Sequence, residues 1–67
     1  MAKEFPKTVI IHQKYVDGTN IECDGCMGIA YRAIKSDATE TWEVEFMNKE
    51  NGLSLYAFDK HNLEVIA

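Results

Sequence analysis

The sequence predicts a mainly β chain: a single small five-stranded barrel, with a 3₁₀ turn expected before the last strand. Three observations predict it. The chain has 67 residues, enough for one small domain. Residues Thr41-Trp42-Glu43-Val44-Glu45-Phe46 alternate with period two, setting Trp42, Val44 and Phe46 on one face and Glu43 and Glu45 on the other. Turn signals then cut the rest into short segments rich in Val, Ile, Thr and aromatic residues.

Residues 1–6 read as an N-terminal arm ended by Pro6, which pushes Phe5 towards an extended conformation, and residues 7–67 as the domain. The first strand is expected over 7–16, where Val, Ile, Thr and Tyr dominate. Asp17-Gly18 opens an irregular loop that runs to Cys26. The second strand is expected over 27–35. A helix is the alternative there, because Met27, Ala30, Tyr31 and Ile34 recur at helical spacing, but no capping box precedes them. Ser36-Asp37-Ala38-Thr39 is a polar turn, and the third strand covers 40–47. Asn51-Gly52 closes a hairpin onto a fourth strand at 53–58. Asp59-Lys60-His61-Asn62 is a tight link with the size of one 3₁₀ turn, and 63–66 forms the fifth strand.

This order resembles the SH3-like small β-barrel. The stretch Trp42…Gly52…Tyr56-Ala57-Phe58-Asp59-Lys60-His61-Asn62-Leu63-Glu64-Val65-Ile66 is similar to the second half of such barrels, where a Trp starts the third strand and a short 3₁₀ turn precedes the last. The resemblance covers residues 40–67 in detail and the remainder by spacing. The acidic ligand-binding loop and aromatic-Pro pattern of the peptide-binding SH3 domains are not reproduced, so it implies architecture rather than proline-peptide recognition. Barrel closure also suits so small a β chain, since it hides sheet edges.

Lys and Arg total 7 against 11 Asp and Glu, a formal net charge of -4. That balance disfavours nucleic acid, whose binders carry a basic face. It is also uneven: Asp17, Glu22, Asp24, Asp37, Glu40, Glu43 and Glu45 face only Arg32 and Lys35 in that stretch. Such a field steers towards a basic partner. No apolar run approaches the ~20 residues that span a bilayer. The start at Met1, the lysines that break up any signal-peptide core and the presence of only two cysteines predict a cytoplasmic protein with reduced thiols, monomeric or weakly dimeric.

Cys23-Asp24-Gly25-Cys26 is the most suggestive local motif, because a CxxC turn can present two thiolates to one tetrahedral zinc. The run Ile21-Glu22-Cys23-Asp24-Gly25-Cys26…Gly28-Ile29-Ala30-Tyr31-Arg32 also resembles the opening of ZZ-type zinc fingers. That family's later cysteine pairs are absent, so a two-zinc site is excluded and only His12 and His61 remain as further ligands. In the barrel reading, the turn holding His61 lies on the same side as the cysteines, which defines a Cys23/Cys26/His61 candidate. The competing reading is two small loop residues without metal. Otherwise no cofactor is expected. Thioredoxin-type chemistry would need the CxxC at a helix N-terminus, and none is expected there.

No nucleophile–base motif or phosphate loop is present, and Glu43 and Glu45 read as solvated carboxylates about 7 Å apart. A non-enzymatic role follows: a small acidic regulator or inhibitor that docks on a larger protein with a basic surface, with carboxylates standing in for phosphates as one form of it. The expected contact residues are Trp42, Glu43, Glu45, Tyr56, Phe58 and Asp24. Tyr56 and Phe58 join the set on the expectation that Leu53, Leu55 and Ala57 point inward. The alternatives are a nucleic-acid-binding barrel, with Lys3, Lys7 and Lys14 as its basic patch, and a single-zinc knuckle.

Overall fold

The computed structural model describes residues 4–36 and 38–67. Five antiparallel strands, β1 (Lys7–Ile11), β2 (Met27–Lys35), β3 (Glu40–Asn48), β4 (Gly52–Asp59) and β5 (Leu63–Val65), form one sheet in the order β4-β3-β2-β1-β5. A single 3₁₀ turn, Lys60–Asn62, precedes β5 as expected. Its entry is capped by Asp59, whose carboxylate accepts from the His61 backbone N–H at 2.9 Å. No ladder joins β4 to β5 among the described residues, so each keeps a free edge.

β1 is shorter than its composition predicts. At Ile11 the ladder partners change: Ile11 N–H donates to the Cys26 carbonyl, and His12 N–H donates to the Asn62 carbonyl. Residues beyond Ile11 leave the sheet and fold back on themselves. Val16 N–H donates to Ile21 and Cys23 N–H to Lys14, both at 3.0 Å, around a bridge between Tyr15 and Glu22. β-propensity marks 12–16 as extended but does not say what it pairs with. The excursion delivers Val16, Ile21 and Cys23 to the core.

β2 is a strand along its whole length, paired to β1 on one side and β3 on the other. The helical spacing arises from alternation interrupted by a bulge. Register shifts between Ala30 and Arg32, so Gly28 and Ala30 face the core while Met27, Ile29, Tyr31 and Ile34 are exposed.

β3 alternates as predicted, with Trp42, Val44 and Phe46 buried. Asn48, buried beneath the next turn, organises the hairpin. Its Oδ1 accepts from the backbone N–H of Glu50 (3.1 Å) and Asn51 (2.7 Å), and its Nδ2 donates to the Gly52 carbonyl (3.0 Å) and Ser54 Oγ (2.9 Å). Gly52 takes φ 71°, a value that favours glycine. This closure fixes β4 in the register Phe46↔Ser54, Val44↔Tyr56, Trp42↔Phe58.

Because opposite residues share a face, the expected orientation of β4 is reversed. Phe58 is 1% exposed and Tyr56 is half-buried against Phe46, while Leu53 and Leu55 point outward. The core comprises Val9, Ile11, Ala30, Trp42, Val44, Phe46 and Phe58 from the sheet and the three excursion residues. Phe46 and Phe58 meet edge-on at 5.7 Å. Phe5 also packs edge-on against Trp42 at 5.1 Å, so this part of the arm belongs to the core. Residues 1–3 of the arm, with Lys3 of the expected basic patch, and Asp37 of the expected turn and acidic run lie outside the described residues.

Candidate interaction surface

With Trp42, Val44 and Phe46 turned inward, the sheet's other face carries Glu43 and Glu45 together with a set of apolar side chains. Across the strands, Leu55 lies opposite Glu45, Glu45 opposite Ile29, and Ile29 opposite Thr8. One step along, Leu53 lies opposite Met47 and Met27 opposite Ile10. Met27, Met47 and Leu53 are 60%, 63% and 60% exposed, and Leu55 is 53% exposed. These four large apolar side chains stand close together on one face of a small chain and form an exposed apolar patch.

Two shallow clefts adjoin at Met47. One, of about 380 Å³, crosses the sheet between Thr8, Met27, Ile29, Glu45, Met47 and Leu53. The other, of about 360 Å³, lies where the excursion approaches the β3–β4 turn, and Glu22, Asp24 and Glu50 line it with Lys49 and Cys26. The apolar cleft thus shares Met47 with a notch lined by three carboxylates and one ammonium.

The outer-face charges are ordered. Tyr31 Oη donates to Glu45 Oε1 at 2.7 Å, and this bond raises the phenol pKa. Arg32 Nε pairs with Glu43, and the hydrogen bond holds the Glu43 carboxyl below its ordinary range. Along the β3 margin, Trp42 Nε1 donates to Glu40 Oε2 at 2.6 Å, lowering the Glu40 pKa, with Lys60 at 3.6 Å from the other oxygen. The indole is thus buried with its one donor satisfied.

The residues proposed from sequence separate into two groups. Glu43 and Glu45 stand on the outer face, and Asp24 is exposed at the acidic notch. Trp42 and Phe58 are core residues, and Tyr56 lines the inner face, so none of the three is presented with the carboxylates. The cation near Trp42 is internal to the chain: Lys7 Nζ sits 5.5 Å from its ring centroid and 5.8 Å from that of Phe5.

Cys23 and Cys26 are free thiols in a turn where Cys26 N–H donates to the Cys23 carbonyl and Gly25 has φ 76°. Cys23 is buried, and its Sγ–H donates to the Gln13 carbonyl at 3.0 Å. Burial, reinforced by Cys26, Asp24 and Asp17, pushes its pKa up to about 11. The His61 ring lies against Asp59 Oδ1 at 3.0 Å in an exposed turn. Among the described residues no group of three His, Cys, Asp or Glu converges as metal ligands, so the expected Cys23/Cys26/His61 set is not assembled.

Sequence reasoning missed Met27, Ile29, Met47, Leu53 and Leu55. The signal was present in the pairing: once Glu45 faces outward, so does whatever residue of β4 lies opposite it. Comparison with known proteins returns no match to any family model, curated protein or solved structure.

Proposed function

We propose that this chain is a non-catalytic protein-interaction module, a small acidic regulator or inhibitor that covers part of a larger partner. The observation that carries this reading is the outer face itself: Met27, Met47 and Leu53 stand open around a groove, Leu55 is exposed on the same face, and the notch lined by Glu22, Asp24 and Glu50 shares Met47 with the groove. The complementary partner surface is aliphatic at its centre and basic at one end. The strand order, the long β1–β2 excursion and the 3₁₀ turn before β5 support reading the scaffold as an SH3-like small barrel.

The energetics suit a modest interface. Fully burying a Leu or Met side chain is worth about 1.5–3 kcal/mol, so half-exposed ones contribute roughly 1 kcal/mol each. Association costs about 4–15 kcal/mol in lost freedom, so the apolar groove needs the charged notch and additional contacts to hold a partner. Partner capture from native extract tests the reading at low and moderate salt. The expected result is one dominant protein, weakened by salt and by charge reversal at Glu22, Asp24 and Glu50. Failure to retain any protein at low salt contradicts it. A salt-dependent shift with oligonucleotides favours the nucleic-acid reading instead.

A further inference from the structure

The two strands at the ends of the sheet are built differently. β5 is three residues long, and its Glu64 carboxylate lies 2.8 Å from His12 Nε2. β4 is eight residues long and pairs with β3 from Gly52 to Asp59 without a register shift. No described strand pairs with its far side. From Gly52 to Phe58 it carries no charged residue and no proline. Edge strands are ordinarily protected by shortness, an inserted charge, a proline or a bulge; from Gly52 to Phe58 β4 has none of these, and its one charge, Asp59, is its last residue. In an antiparallel pair, alternate backbone N–H and C=O groups point away from the partner, so this edge offers a row of free donors and acceptors.

We propose that the β4 edge pairs with the β4 edge of a second copy of the chain, antiparallel about a two-fold axis at Leu55. In that register the two Leu55 side chains lie opposite each other, and Leu53 of each copy lies opposite Ala57 of the other. All are on the outer face, because opposed residues share a face. Asp59, the one charge on β4, then falls beside the uncharged Asn51 of the other copy, and the two-fold brings the turn that carries Glu50 to the end of the partner strand where Lys60 follows, so like charges do not meet along the edge. Lys60 lies 3.6 Å from Glu40 with its side chain 42% exposed.

Two other arrangements of a second copy are less favourable. Stacking the outer faces brings Glu43 and Glu45 of one copy onto the same acidic face of the other. Pairing β4 with β5 of the next copy matches eight residues to three. The two-fold pair is also closed, so it ends at a dimer. A single added strand pairing buries well under the ~1,200 Å² at the low end of stable interfaces, so the dimer is weak and concentration-dependent.

Sedimentation equilibrium of the full chain over a concentration series tests the proposal, with circular dichroism confirming the fold of each variant. The wild type should form a dimer and nothing larger. Leu55→Lys and Leu55→Glu should each weaken self-association roughly tenfold, because like charges then face each other across the axis. An equimolar mixture of the two should restore the dimer. Met27→Glu, on the same face but two strands from the edge, should dimerise as the wild type does. A wild type that stays monomeric at the highest concentration overturns the proposal. So does a mixture no more dimeric than its components, growth beyond a dimer, or a loss of dimer in Met27→Glu that the Leu55 variants do not share. Because the readout is self-association alone, it stands or falls separately from binding of a larger partner.

Discussion

Glu45 and Leu55 face each other across β3 and β4 on the side of the sheet turned away from the core. That pairing sets a carboxylate beside an open leucine and organises the whole outer surface. Ile29 lies on the far side of Glu45, and Tyr31 holds the carboxylate through its hydroxyl. An acidic strand face thereby becomes an apolar surface with carboxylates set into it.

The orientation of β4 is the first thing to test. Phe58→Ala should destabilise the fold by about 3–5 kcal/mol, the usual cost of emptying a buried aromatic site. Leu55→Ala should change stability by no more than about 0.5 kcal/mol, as exposed substitutions do. Urea unfolding followed by Trp42 fluorescence measures both. Equal losses at the two positions would contradict the register.

Gly28 is required for space rather than for backbone freedom. A Cβ there would lie 2.6 Å from Val44 Cγ1 and 2.7 Å from the Glu45 carbonyl oxygen, with no slack in a paired strand. Gly28→Ala should cost about 1–3 kcal/mol through overpacking. Gly18 supplies the contrast, because a Cβ there meets nothing within 4 Å although its φ is +75°. Gly18→Ala should therefore cost only the backbone term, about 1 kcal/mol. Parallel denaturation curves decide the order.

Asn48 carries the β3–β4 turn through four hydrogen bonds from one buried side chain. Asn48→Ala removes the acceptor for two backbone N–H groups and should cost about 1–3 kcal/mol. Amide exchange at Glu50 and Asn51 should accelerate in the variant. Unchanged exchange at both sites would show that the side chain does not hold the turn.

The two thiols should behave differently. Cys26 is half-buried beside a cleft and should react first with a thiol reagent; Cys23, enclosed and bonded to Gln13, should react only on opening of the fold. The pKa of Cys23 rises from 9.0 to about 11 on folding, so burial of the neutral thiol stabilises fully below pH 9. That contribution is lost as pH climbs from the unfolded to the folded value. Melting temperature against pH, compared with Cys23→Ala, isolates it. A variant with the same alkaline decline as the wild type would contradict the assignment.

Acid should act through the opposite sign. Glu40, Glu43 and Asp59 have folded-state pKa values lowered chiefly by the Trp42 indole, Arg32 and the His61 backbone N–H. Their contribution is complete above the ordinary carboxylate range and is lost as pH falls through the lowered values. Glu43→Gln should flatten that decline, visible in melting curves taken below neutral pH. A steeper acid limb in the variant would reverse the sign.

Strand positions were largely legible because β2 through β5 are bounded by turn residues and β3 alternates without interruption. The excursion after Ile11 was not, since its residues have strand composition but pair with one another. The outer surface was hidden for a similar reason. Tyr56 and Phe58 looked like the more natural exposed anchors, and Leu53 and Leu55 like core. Only the cross-strand register, imposed by Asn48 and the turn it closes, decides which face of β4 is buried. The zinc motif shows the same limit: CxxC spacing describes two thiols, while the Gln13 carbonyl beside Cys23 and the Asp59 carboxylate beside His61 are placed by tertiary structure.

In the proposed function the outer face of β2, β3 and β4 meets a partner protein. Site-specific photocrosslinking in native extract probes that face, with a benzophenone side chain introduced at Leu53 or, in the exposed 3₁₀ turn at the other end of β4, at His61. One dominant crosslinked protein is expected from position 53, lost when Met27 and Met47 are both changed to Glu, and none from position 61. A crosslink from position 61 alone, or one from position 53 that survives the double substitution, rules the face out.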